Sequence, residues 1–249
     1  MRYFLYLSFD GKNYHGWQIQ PNAMSVQERL QECLRTLLQQ EISVVGAGRT
    51  DAGVNAQMMV CHLDLPDASI ASWLLHRLNR ILPADIAAYR LVRVEDTAHA
   101  RFDATARTYH YNIYLSKNPF ARHYALRIFD KPDFTLMNDA AAYLLQVRDF
   151  TSFSKVHTDT QTNNCKVSLA HWRQIEADQW RFEITADRFL RNMVRAIVGT
   201  LLDVGRGKLT LEGFRQTIEK RNRCAAGESV PGHALSLVHI EYPEHLFFR

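Results

Sequence analysis

The chain holds no apolar run approaching the roughly 18–20 residues a helix needs to cross a bilayer, which argues against a helical membrane span. Its start, Met1-Arg2-Tyr3-Phe4-Leu5, enters an alternating pattern at once and lacks the three-part form of a signal peptide. Cysteine is scarce. Cys33, Cys61, Cys165 and Cys224 are too few and too widely spaced for a disulfide framework or a zinc site, so a reducing cytoplasm is the expected setting. No low-complexity linker divides the sequence. Charge of one sign is also in short supply: 30 Lys+Arg against 26 Asp+Glu leave a formal +4, too little to imply a nucleic-acid partner alone.

What is present fits a folded α/β protein. The 249 residues are 47% hydrophobic and 22% charged, enough chain for one large or two modest domains. Placement of charge says more than its sum. Arg188, Arg191, Arg195, Arg206, Lys208, Lys220, Arg221 and Arg223 gather late in the chain, as a face for an anionic polymer would need.

Hydrophobic periodicity predicts strand, helix, strand, strand, helix, strand over the first hundred residues. Tyr3, Leu5, Leu7 and Phe9 alternate in a strand at 2–9. Ser25-Val26-Gln27-Glu28 forms a capping box ahead of a helical stripe from Val26 to Leu38. Short β-type runs at 42–47 and 57–65 flank a glycine-rich loop. A second helical stripe, Leu74 to Leu82, stops at Pro83, and a strand follows at 86–94. This βαββαβ order is that of a split βαβ, ferredoxin-like unit with an antiparallel sheet.

The second half repeats the theme loosely. Strands are expected at 107–115, 166–175, 180–186 and 235–242, and helices near 136–146, along Leu190 to Leu202, and after Thr210. The expected fold class is α+β. Two ferredoxin-like halves, 1–105 and 106–249, would share a central, mainly antiparallel sheet with helices outside and a cleft between them.

The most unusual stretch is Gly46-Ala47-Gly48-Arg49-Thr50-Asp51-Ala52-Gly53. Small residues on both sides of one arginine and one aspartate allow positive φ and let a flat substrate come close. Three readings stand: a tight turn carrying a surface ion pair, a phosphate-cradling loop, and a catalytic carboxylate. The phosphate loop lacks the Gly-Lys-Ser/Thr ending, and a strand rather than a helix N-terminus follows it. An aspartate beside a guanidinium favours its anionic form, which suits nucleophilic or general-base work rather than general-acid work.

Gly48-Arg49-Thr50-Asp51-Ala52-Gly53-Val54 resembles the catalytic motif of the tRNA pseudouridine synthase A family. Four further blocks occur in that family's order. They are Phe9-Asp10-Gly11 with Tyr14-His15-Gly16-Trp17-Gln18, His99 to Arg107 leading to Tyr109, Asp149 to Phe153, and Arg191-Asn192-Met193-Val194-Arg195 with Ile197-Val198-Gly199. The resemblance implies a homodimeric enzyme acting on uridines 38, 39 and 40 of the tRNA anticodon stem-loop, without metal or organic cofactor. It also implies that Asp51 is the nucleophile, Arg49 its partner, Tyr109 the ring against the target base and Arg195 a second basic residue of the cleft. Two departures stand out: Asn55 where the family often has histidine, and His233-Ala234-Leu235 in place of a Gly-Leu pairing.

The chemistry agrees with that family. Moving a base from its nitrogen to its carbon consumes no electrons and transfers no group to a second molecule. Extruding a uridine costs a few kcal/mol, and stacking on one aromatic ring returns roughly 1–3 kcal/mol, which Tyr109 would supply. Taken without the resemblance, Tyr109 reads as a core tyrosine, and Arg191 and Arg195 read as surface arginines. His239-Ile240-Glu241 has the form of a zinc-deaminase triplet, but no Pro-Cys-x-x-Cys follows it. A binding-only RNA module and a hydrolase using Asp51 are the competing functions.

Overall fold

The computed structural model describes residues 1–155 and 161–248. The chain forms two compact units, Met1–Thr105 with Leu237–Arg249, and Ala106–Ser236.

The first unit is built on an antiparallel sheet. Strand β1 (Arg2–Phe9) lies between β3 (Asn55–Asp64) and β4 (Ile86–Arg93), and β2 (Val45–Gly46) pairs with β3. The expected run at 42–47 is thus reduced to two paired residues. Helix α1 (Val26–Leu38) starts where Ser25 Oγ accepts the Glu28 amide at 3.2 Å and ends at Gln39, which takes the left-handed conformation. Helix α2 (Ala68–Ile81) is capped by Asp67 and stops before Pro83, which denies the helix a backbone donor.

Cross-strand pairs Leu5↔Cys61, Tyr3↔Leu63 and Leu7↔Met59 make one buried face of the sheet. Alternation alone would leave the other face open, yet Phe4 and Tyr6 are buried as well. The reason is the C-terminal segment. Strand β9 (Leu235–Glu241) neighbours β3, the Tyr242 ring lies 4.8 Å from Phe4, and Phe247 lies 6.1 Å from it. Backbone bonds from Thr105 to Glu241 (2.9 Å) and from Glu95 to Leu246 (3.0 Å) tie the segment down. Residues 237–249 therefore belong with the first unit, which corrects a division into 1–105 and 106–249.

The second unit sets β5 (Ala106–Tyr114), β8 (Gln179–Ala186) and β7 (Val167–Glu176) side by side and antiparallel. The two-residue strand β6 (Leu126–Arg127) pairs in parallel with β5 and was not legible in the sequence. Helix α3 (Phe134–Tyr143) is held to β7 by Asn138, whose side chain accepts the Trp172 amide (2.7 Å) and donates to its carbonyl (3.0 Å). The Phe134 ring stacks flat on Trp180 at 3.6 Å. Helix α4 (Met193–Gly205) is buried along most of its length, and α5 (Leu211–Glu219) is capped by Thr210, whose hydroxyl accepts the Gly213 amide.

No helix among the described residues is long and apolar enough to cross a membrane.

Candidate active site

After β1, Asp10 accepts the Lys12 amide and opens a 3-10 turn at Gly11–Asn13. The segment that follows is threaded between α1 and the loop carrying Asp51. The amides of Val26 and Gln27, at the start of α1, donate to the carbonyls of Gly16 (3.2 Å) and Trp17 (3.0 Å). These are amides that a helix N-terminus cannot satisfy internally. Trp17 is buried, stacks on Phe9 and lies against Gly46.

Backbone meets backbone at Gly16, whose φ is +91° and whose added Cβ would run into the Thr50 carbonyl. Only glycine meets both demands there. The Gly53 amide donates to the Tyr14 carbonyl (3.2 Å), and the Val54 amide donates to the Asp51 carbonyl (3.2 Å). Gly53, with φ +74°, closes that turn at the position where a β-turn calls for a left-handed residue. Asp51 is thus the first residue of a tight turn, clamped from two sides and left half-buried, while Arg49 on the same loop is exposed.

The loop is also open where a ligand would need it. A Cβ built on Gly48 would find no atom within 4 Å. Thr50 Oγ1, next to Asp51, is buried with no hydrogen-bond partner among the described residues. Such an orphaned group in a native fold points to water or ligand.

Asn55 explains one departure from the family pattern. It is buried, and its Oδ1 accepts the Gly11 amide at 2.8 Å. The side chain therefore serves the clamp rather than the loop's outer surface. Tyr14 adds a second tie, donating its hydroxyl to Asp85 at 2.6 Å. Burial, and then that hydrogen bond, push the Tyr14 pKa upward, so the phenol stays a donor. Asp85 did not stand out in the sequence, and Asn55 did so only as a departure from the family pattern, because each acts on a segment more than forty residues away.

His62 extends this scaffold to the loop at 99–103. Its Nδ1 accepts the Ala100 amide at 3.0 Å, and burial, followed by the charge of Arg2, lowers its pKa to about 4. A backbone amide can only donate, so this bond requires the ring nitrogen to be unprotonated. The His99 to Asp103 turn is closed by Asp103, which accepts the His99 amide at 2.7 Å.

The other two sequence-predicted residues lie in the second unit. Tyr109 is buried on β5, on the face it shares with Tyr111 and Ile113, and meets Phe189 edge to face at 5.0 Å. Arg195, in the first turn of α4, is half-buried. Its Nε donates to the Val230 carbonyl (2.7 Å), and the Val230 amide donates back to the Arg195 carbonyl (3.2 Å). Asn192, in the left-handed conformation at φ +69°, reaches Ser229 at 2.6 Å. Arg195 is therefore held in place rather than loose on the surface.

The remaining family-like block is structural. Ser152 is buried and links the Thr217 carbonyl to the Asn222 amide, and Asp149 pairs with Arg221 at 3.1 Å. Within the basic run, Arg191, Arg206, Lys208 and Lys220 are exposed, whereas Arg223 is spent on Ser229 and Gly227. Ala234 is fully buried in a 3-10 turn, so its methyl group occupies core space. His239 lies in β9, 4.0 Å from Glu241, and among the described residues no cluster of three or more metal-ligating side chains occurs.

Comparison with known proteins supplies the last observation. A family model described as tRNA pseudouridine synthase matches residues 140–243. A tRNA pseudouridine synthase A from Bacteroides thetaiotaomicron is 57% identical over 248 residues, covering 99% of this chain and 92% of that protein. The protein of the same name from Bacteroides fragilis is 56% identical, covering 99% of this chain and 98% of its own length. The one from Bacillus subtilis is 38% identical over 240 residues, covering 95% and 97%.

Proposed function

The chain belongs to the tRNA pseudouridine synthase A family and is an isomerase that converts uridine to pseudouridine in tRNA; from that premise we propose that Asp51 is its catalytic carboxylate. Family membership removes the binding-only module and the hydrolase as competing functions.

The observation that carries the role of Asp51 is its fixation. Its turn is clamped by Gly16, Tyr14 and the Gly11–Asn55 bond, with open space in front of Gly48. Reactions gain from a group held in a near-attack position, and errors of about 1 Å can cost about 10²-fold. The isomerisation breaks the bond from ribose C1′ to uracil N1, turns the base and joins C1′ to C5. The C5 proton leaves and N1 takes one up, so no electrons enter. A carboxylate contributes by attacking sugar or base, or by stabilising positive charge at C1′ as the bond breaks.

In this reading the targets are uridines 38, 39 and 40 of the anticodon stem-loop, the enzyme needs no metal or organic cofactor, and it works as a cytoplasmic homodimer. The four cysteines, all free thiols, suit a reducing compartment. Arg49 orients the substrate beside Asp51, Tyr109 stacks on the extruded base, and Arg195 holds substrate phosphate or the developing charge. We also read both units as ferredoxin-like. The β4-β1-β3 order with β2 on β3, and the β5-β8-β7 order with α3 and α4 in matching places, support this.

Asp51→Asn removes one charge at constant shape. It is expected to lower turnover of unmodified tRNA by about 10²–10⁴-fold or more while tRNA affinity and melting temperature hold. Mapping pseudouridines after incubation reads both activity and position. Near-normal modification by this variant would remove Asp51 from the chemistry, and modification outside 38–40 would revise the target.

A further inference from the structure

The segment 115–133, which joins β5 to α3 in the second unit, has no place in the mechanism above. It exposes three large aromatic side chains: Phe120 at 92%, Phe129 at 79% and Tyr124 at 49%. The same segment buries Ala125 and Ile128. Small and branched side chains face inward and phenyl rings face outward, the reverse of what the hydrophobic effect favours for a surface with nothing to bind.

The segment is built, not slack. Asn118 Oδ1 accepts the Phe120 amide at 2.9 Å, and the Tyr124 and Ala125 amides both donate to the Ala121 carbonyl (3.0 and 2.9 Å). Strand β6 pairs Leu126 and Arg127 with Ile113 and Tyr114, and the Ile128 amide donates to the Tyr114 carbonyl at 2.9 Å. The outward rings are therefore held in position by the backbone beneath them.

Between the rings sit cations. Over 117–131, Lys117, Arg122, Arg127 and Lys131 outnumber one carboxylate, Asp130, and the next, Asp133, caps α3. Arg127 lies over the Phe129 ring, 4.7 Å from its centroid, and Arg122 and Lys117 are exposed. Aromatic rings interleaved with guanidinium groups are the chemistry that takes unstacked bases and their phosphates.

We propose that residues 117–131 form a docking surface for an unpaired region of the substrate tRNA, with Phe120 and Phe129 stacking on bases and Arg122 and Arg127 contacting phosphates. Charge decides for RNA over a second copy of the chain, because a two-fold contact would set this basic patch against itself. The proposal rests on tRNA being the substrate and is independent of the role given to Asp51.

The test measures the affinity of wild type, Phe120→Ala/Phe129→Ala, Phe120→Trp and Arg122→Gln for unmodified tRNA at several salt concentrations, with sedimentation mass followed in parallel. The double alanine variant, which loses two base-stacking rings, is expected to raise Kd by about thirtyfold or more. The loss should appear in KM more than in kcat. Phe120→Trp, which keeps a stacking ring, is expected to bind as wild type does. Arg122→Gln should flatten the salt dependence of log K by about 0.7–0.9. Unchanged Kd in the double variant overturns the proposal and leaves the Asp51 assignment standing. Unchanged Kd with a lower sedimentation mass instead assigns the patch to a second copy.

Discussion

The loop of Asp51 and the loop of Phe120 and Phe129 solve opposite problems. The first is made of small residues and gripped through its backbone by Gly16, Tyr14 and the Gly11–Asn55 bond, which fixes the main chain at Asp51, the carboxylate proposed as catalytic. The second is anchored by Asn118, Ala125 and Ile128 and offers area and positive charge. Reaction demands placement to a fraction of an ångström, whereas binding a flexible polymer demands contact surface and tolerates small shifts. A substitution beneath the first loop should therefore damage catalysis, and one on the second should damage affinity.

The sharpest way to break this contrast is Gly16→Ala. Its Cβ would run into the Thr50 carbonyl, and its φ of +91° suits glycine alone. Pushing Asp51 out of place is expected to lower kcat by about 10²-fold with little change in tRNA affinity, checked by single-turnover assays and binding at matched salt. A Gly16→Ala enzyme with normal kcat would show that the clamp does not set the carboxylate.

Asn55→Ala comes next. It leaves the buried Gly11 amide without an acceptor, a loss of about 1–3 kcal/mol. In a chain of this size that lowers the melting temperature by roughly 2–4 °C per kcal/mol, read by thermal denaturation. Asn55→His, the family's usual residue, should restore part of it if the ring can accept the same amide.

The smallest effect is a pH dependence that both units share. His62 in the first unit and His110 in the second each have a pKa lowered to about 4, first by burial. The unfolded chain takes up these protons near the ordinary value of 6.5, the folded one only near 4. Stability is therefore full above about pH 6.5, falls as the pH drops towards 4 and levels off below it. His62→Asn, which keeps an acceptor for the Ala100 amide, should remove only the first unit's share of that slope in melting curves between pH 4 and 7. An unchanged slope would mean that His62 is not held neutral by the fold.

Much of this was legible beforehand. The strands and helices followed from periods of 2 and 3.6, and Ser25 and Thr210 cap the helices they were expected to cap. The Gly46–Gly53 stretch announced a tight loop by composition, and the order of five blocks named the family to which the relatives at 38–57% identity belong. Less visible were β6, the second buried face of β1 and the return of residues 237–249 to the first unit. Each depends on a segment remote in sequence covering or pairing with another.

Sequence by itself determined local conformation and the chemical inventory. Side-chain shape, branching and spacing act within a few residues, and a carboxylate in a glycine-lined loop is the same group wherever the loop is placed. Tertiary structure alone decided which polar groups were used up and which were left to meet a substrate. Asn55 became a buried acceptor, Arg195 was latched to Val230, and Phe120 and Phe129 stayed in solvent. Burial and hydrogen-bond satisfaction belong to the packed molecule, and no local pattern encodes which distant backbone will arrive to claim a side chain.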